Sequence, residues 1–156
     1  MKYLFFYDTK LGKIGIAEEN SFITNVYFSS EEVPKDIEVF ETPLIKEAAK
    51  QLTEYLSTKR RTFDLPLSPR GTQFQKMVWK ELEKISYGKT LSYKEVAQKV
   101  GNEKACRAVG MANNKNPIPI FIPCHRVIGA NGKLIGYGGG LNIKSWLLKL
   151  ENVVIR

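Results

Sequence analysis

The hydrophobic pattern changes period along the chain. Tyr3–Tyr7, Lys13–Ala17 and Phe22–Phe28 are rich in aromatic and β-branched residues, and Asp8–Gly12 and Glu18–Ser21 separate them with turn residues. This spacing predicts three strands joined by tight connections. Residues 29–41 are polar, contain Pro34 and read as a loop. A helical period then begins. Thr42 is placed to cap it and Pro43 occupies its first position. Leu44, Ile45, Ala48, Leu52, Tyr55 and Leu56 form the apolar stripe, and Lys59-Arg60-Arg61 ends it. Arg61–Leu65 reads as a further short strand, and Pro66-Leu67-Ser68-Pro69 as a boundary.

The second half is mainly helical. Thr72-Gln73-Phe74-Gln75 and Ser92-Tyr93-Lys94-Glu95 both have the form of a capping box. The first opens a helix with Phe74, Met77, Val78 and Leu82 on one face. The second opens a short helix that stops at Gly101. Asn102 is placed to cap a third helix reaching Asn113, so two short helices around a glycine turn have the outline of a helix-turn-helix. On that third helix Ala105, Ala108, Val109 and Ala112 share the face expected inward. Arg107, Gly110 and Asn114 fall on the other face, either as a solvated surface or as one that approaches DNA closely. A last helix is expected from Ile143 to Leu150. The fold class is therefore α+β, a small domain over residues 1–67 followed by a mainly helical domain over 68–156.

Charge sharpens this division. Residues 1–67 hold nine Lys/Arg and eleven Asp/Glu, whereas residues 68–156 hold fifteen and five. A polyanion partner is implied for the second half alone. No run of about 18 apolar residues predicts a membrane span. The N-terminus has too short an apolar run for a signal peptide, so a cytoplasmic protein without membrane association is expected. Two cysteines and one histidine are too few for a four-ligand structural zinc site, and no metal or cofactor is expected.

The chemistry concentrates in Asn116-Pro117-Ile118-Pro119-Ile120-Phe121-Ile122-Pro123-Cys124-His125-Arg126-Val127-Ile128-Gly129. Three prolines in seven residues oppose both helix and inner strand and predict a stiff extended loop. The loop ends with a thiol beside a base and a permanent cation, which predicts a lowered thiol pKa. By residue type alone, Cys124 also reads as a small core residue. Downstream, Gly136-Tyr137-Gly138-Gly139-Gly140 lets backbone approach a ligand.

These blocks resemble the O6-alkylguanine-DNA alkyltransferases from about Gly71 to Glu151. The likeness rests on Pro123-Cys124-His125-Arg126-Val127, Asn116-Pro117-Ile118-Pro119-Ile120, Tyr137-Gly138-Gly139-Gly140, Lys144-Ser145-Trp146-Leu147-Leu148, Ser92-Tyr93 and Arg107-Ala108-Val109-Gly110. It implies a ribonuclease-H-like N-terminal domain and a monomer that acts on double-stranded DNA carrying O6-alkylguanine. Cys124 would be the irreversible alkyl acceptor, on which the whole assignment hangs, so its sulfur must be reachable by an extruded base. His125 would take the thiol proton through a water, oriented by Glu151. Tyr93 would serve the purine N3, and Asn116 would brace the turn. Arg107 would fill the vacated stack, and Ala108, Gly110, Asn114, Thr72, Ser92 and Lys104 would meet DNA. Met111, Val127, Ile128, Tyr137, Gly138 and Gly139 would line the pocket. Gly138 stands where some relatives carry Ser, and the zinc ligands of some members are missing. Cys106 is expected to pack beside the helix rather than accept alkyl groups. The competing expectation within this fold is a lesion-binding relative without transfer; because such relatives replace the acceptor cysteine, Cys124 argues against it.

Overall fold

The computed structural model describes residues 1–29, 31–137 and 139–154. The chain divides into two compact units, Met1–Arg70 and Gly71–Arg156.

In the first unit β1 (Lys2–Thr9), β2 (Gly12–Glu19) and β3 (Phe22–Phe28) form an antiparallel meander. A two-residue strand, β4 (Glu38–Val39), adds in parallel to β1, so the sheet order is β3-β2-β1-β4. It lies within the segment expected to be loop, because two residues are too few to show a period. Helix α1 (Pro43–Leu56) covers the sheet with Ile45, Ala48, Leu52, Tyr55 and Leu56, close to the expected stripe. Thr42 caps it as expected, its Oγ1 accepting from the Ile45 amide at 3.1 Å. The expected strand at Arg61–Leu65 does not form. Gln51, buried on α1, takes the place of a strand partner: its amide donates to the Asp64 carbonyl at 3.1 Å and accepts from the Asp64 amide at 2.9 Å. A side chain thereby satisfies the main chain that a strand would have paired.

The second unit packs α2 (Gln73–Leu82), α3 (Tyr93–Lys99) and α4 (Cys106–Asn114) against one another. Both capping boxes are formed, by Thr72 with Gln75 and by Ser92 with Glu95. Gly101, at φ +89°, makes the turn between α3 and α4, a conformation costly for a side chain. The start of α4 is later than expected. Asn102 spends its side chain on the Lys104 amide at 3.1 Å and its carbonyl on the Ala105 amide at 3.0 Å, a separate turn that delays the helix. Its inward residues are Val109, Ala112 and Asn113, and Ala108 is exposed rather than buried. The later start and the packing of α2 rotate the buried stripe away from it.

Two short pieces bring the ends of this unit together. Strand β5 (Leu91–Ser92) pairs in parallel with β6 (Val127–Ile128), setting the start of α3 beside the segment that follows Cys124. Helix α5 (Leu141–Leu150) packs on the turn at Cys124–Arg126.

Trp79 ties α2 to α4: it is buried and its indole N–H donates to the Ala112 carbonyl at 2.8 Å. Trp79→Phe removes that bond and leaves a void, and is expected to lower stability by about 1–3 kcal/mol in chemical denaturation.

Candidate active site

The proline-rich segment is not extended. It coils back on itself, with the Ile122 amide donating to the Ile118 carbonyl at 2.9 Å and the Cys124 amide to the Ile122 carbonyl at 2.7 Å. Ile120 sits at φ +74°, a strained conformation for a β-branched residue. Ile118 to Cys124 are all buried, which explains the coil: apolar side chains between the prolines turn inward together. Asn116 braces it, donating to the Ile122 carbonyl at 2.9 Å and accepting from the Ile118 amide at 3.0 Å. Asn113, which sequence reasoning missed, donates to the Cys124 carbonyl at 3.3 Å.

The coil delivers Cys124, His125 and Arg126 on one 3₁₀ turn. His125 Nε2 lies 2.8 Å from Glu151 Oε2, where the chain leaves α5, and both side chains are fully buried. Arg126 is bidentate on the same carboxylate, Nε to Oε1 at 2.9 Å and Nη2 to Oε2 at 3.0 Å. Its Nη1 donates to the Ile85 carbonyl at 2.6 Å. The Gly88 amide adds a bond to Glu151 Oε1 at 2.9 Å.

The expectation of a lowered thiol pKa fails. Cys124 is 3% exposed, as its alternative reading as a small core residue allows. Burial pushes its thiol up to about 11, against the pull of the Asn116 amide, the Lys144 charge and the Tyr137 hydroxyl. The cation expected to lower it, Arg126, is turned to Glu151 and Ile85 instead. Adjacency in sequence puts consecutive side chains of a tight turn in different directions.

Lys144 is the cation the sulfur feels, and it was not singled out as a functional residue. It is 0% exposed on α5 and donates from Nζ to the Ile135 and Gly136 carbonyls at 3.0 and 3.1 Å. Burial lowers its pKa to about 8. The signal was present, since Lys144, Leu147 and Leu148 share helical spacing on the buried face. Tyr93 donates its hydroxyl to the same Ile135 carbonyl at 2.6 Å. Burial, and then the nearby Cys124, raise its pKa to about 12.

Other predicted residues fall in two groups. Val127 is buried and Ile128, Tyr137 and Gly139 are half-buried, whereas Met111 is 59% exposed on α4. Gly138 lies outside the described residues. Thr72, Lys104, Arg107, Ala108 and Asn114 are exposed, and Ser92 and Gly110 are half-buried. Among the described residues, no three His, Cys, Asp or Glu side chains gather where they would hold a metal ion. No described helix is long and apolar enough to cross a membrane.

Comparison with known proteins bears on this arrangement directly. Residues 73–153 match the DNA-binding domain of 6-O-methylguanine DNA methyltransferase, and residues 2–69 match its ribonuclease-like domain. The chain belongs to the 6-O-methylguanine DNA methyltransferase family. It is 48% identical to the constitutive methylated-DNA–protein-cysteine methyltransferase of Bacillus subtilis, across 98% of this chain and 97% of that one. It is also 48% identical to the methylated-DNA–protein-cysteine methyltransferase of Methanosarcina acetivorans, across 96% and 97%. Mycobacterium tuberculosis OGT, solved in complex with DNA, superposes with a TM-score of 0.91 at 43% identity, covering 96% of this chain and 92% of that one. The α+β class of the methyltransferase, with a ribonuclease-like domain before a DNA-binding one, agrees with the expectation from sequence.

The buried network makes the methyltransferase sensitive to acid. Burial and the neighbouring cations hold His125 below its ordinary value, while burial pushes Glu151 up and the hydrogen bonds and charges of His125 and Arg126 outweigh it, holding it at about 2. Both groups bind more protons unfolded than folded, so both make stability rise with pH. Thermal unfolding is expected at progressively lower temperature as pH falls below about 6.5, with a second decline below about 4.5. Glu151→Gln should flatten that second decline in scanning calorimetry.

Proposed function

We propose that this methyltransferase repairs DNA directly, in one turnover, by moving the methyl group of O6-methylguanine onto Cys124. The observation that carries it is the turn that holds Cys124 beside His125, with Glu151 at 2.8 Å from the imidazole, in a chain of this family. In the reaction an Sγ–carbon bond forms in line as the carbon–O6 bond breaks, and the electron pair passes to the purine. The thiol proton goes to His125 through a water at Nδ1, the ring nitrogen facing away from Glu151. Tyr93 donates a proton or hydrogen bond to the purine N3 and offsets the negative charge that develops there. The product is a thioether, which water does not cleave, so each protein molecule repairs one base.

The burial of Cys124 gives base binding a structural cost. Tyr93 is engaged with the Ile135 carbonyl and must exchange it for the purine. Asn116 and the strained coil keep the sulfur aimed throughout. Exchange of one hydrogen bond for another makes this opening cheap compared with flipping, which costs a few kcal/mol.

Access runs through α4. A side-chain carbon added at Gly110 would meet the Tyr93 ring at 3.9 Å, ordinary van der Waals contact, so the fold does not require glycine there. A duplex approaching this face does. Arg107, exposed on the same helix, takes the place of the extruded base, and Ala108, Asn114, Thr72, Ser92 and Lys104 contact the strands around it. Val127, Ile128, Tyr137 and Gly139 enclose the flipped base, with Met111 at the rim. The fifteen Lys/Arg against five Asp/Glu over residues 68–156 suit a polyanion. The protein acts as a monomer in the cytoplasm.

Mixed with excess duplex containing O6-methylguanine, the protein should gain one methyl group, on Cys124 by mass spectrometry, and repair should stop at one base per molecule. Cys124→Ser should bind the duplex and transfer nothing; transfer that persists in it would sink the mechanism. Arg107→Ala should slow repair of a duplex more than transfer from free O6-alkylguanine, and equal losses would remove its stacking role. Gly110→Ala should stabilise the fold by about 0.5–1 kcal/mol while weakening duplex binding. A variant that binds as tightly as the parent would clear α4 of close approach.

A further inference from the structure

His125 must be neutral to take a proton, yet it lies 2.8 Å from a buried carboxylate. An unopposed carboxylate at that distance would hold the imidazole protonated before any base arrived. The geometry around Glu151 prevents this. Arg126 meets the carboxylate fork to fork, with one N–H on each oxygen at 2.9 and 3.0 Å, and the Gly88 amide occupies Oε1 as well. The guanidinium is itself fixed by the Ile85 carbonyl at 2.6 Å and by the Tyr87 ring, 5.8 Å away.

We propose that Arg126 is a positioning residue that cancels the charge of Glu151, so that the carboxylate orients His125 without protonating it. The proposal rests on the transfer reaction above and names how its base is kept ready. Arg126 acts through Glu151 and touches no reacting atom. A bidentate pair suits this role, because it neutralises the carboxylate and fixes its plane, leaving one lone pair of Oε2 for the imidazole.

The charges facing His125 favour the neutral ring. From α5 and its C-terminal end come Lys144 and Glu151, and from its own turn comes Arg126. Two cations thus oppose one anion. Burial is the largest influence holding His125 below its ordinary value, Arg126 and Lys144 act the same way, and only Glu151 acts upward.

His125 is the chain's single histidine, so its ring signals in NMR need no assignment. The test is a pH titration of that ring in the full-length protein, in Arg126→Gln and in Arg126→Lys, beside the pH profile of methyl transfer from an O6-methylguanine duplex. In the parent the midpoint should lie below the ordinary histidine value. Arg126→Gln should raise it by about one pH unit or more, and the acid limb of the transfer profile should move up with it. A midpoint that stays or falls overturns the proposal. Arg126→Lys keeps the charge but loses the fork, so the midpoint should hold near the parent value while transfer slows. A raised midpoint in the lysine variant, or unchanged transfer, also overturns it, and this decides the matter if Arg126→Gln does not fold. The titration is read without DNA. A parent protein that leaves Cys124 unmethylated therefore counts against the transfer reaction and not against the charge balance.

Discussion

The carboxylate of Glu151 is fully buried and ionised, and much of the second unit is arranged around keeping it so. Taking a charge out of water is expensive unless partners replace the water. Here three partners come from two places: Arg126 and His125 on the turn after the proline coil, and the amide of Gly88 on the connection between α2 and β5. The Arg126 link to Ile85 adds the end of the α2 region. Breaking any one strand of this cluster leaves a buried charge or donor stranded, so the cluster locks the end of α5 to the turn that carries the thiol.

A second junction sits on the other side of Cys124. The hydroxyl of Tyr93 and the ammonium of Lys144 converge on the carbonyl of Ile135, and the ammonium lies 5.8 Å above the Tyr93 ring. These contacts close the surroundings of the sulfur. They also differ in kind from the Glu151 cluster. A hydrogen bond to a carbonyl is readily exchanged for another, whereas a desolvated ion pair is not. One side of the site is therefore rigid and the other replaceable.

Local chemistry explains where sequence reading succeeded. Both capping boxes, the Thr42 cap with Pro43 and the three strands of the meander depend on neighbours a few residues apart, and these signals sit within reach of inspection. It failed where a distant partner decides. Arg61–Leu65 has the composition of a strand, but Gln51 on α1 claims its backbone. Asn102 has the form of a cap but spends itself on its own turn. Ala108 fits an inward stripe, but the packing of α2 chooses Val109, Ala112 and Asn113. In the site, Cys124 and His125 stood out by residue type and spacing. Asn116, Glu151 and Tyr93 came from family likeness, since nothing local in their segments marks a role.

By itself, then, the amino-acid order determined the two-part architecture, the basic second half, the helix boundaries with strong caps, and the segment where a thiol, an imidazole and a guanidinium adjoin. Only the folded chain decided which cation belongs to which anion. Arg126 follows the thiol by two positions yet serves Glu151, while Lys144, twenty residues on, is the charge the sulfur feels. The reason is dielectric as much as geometric. In a buried site a few ångströms and the loss of water set the strength of each interaction, and distance along the chain carries little information about either.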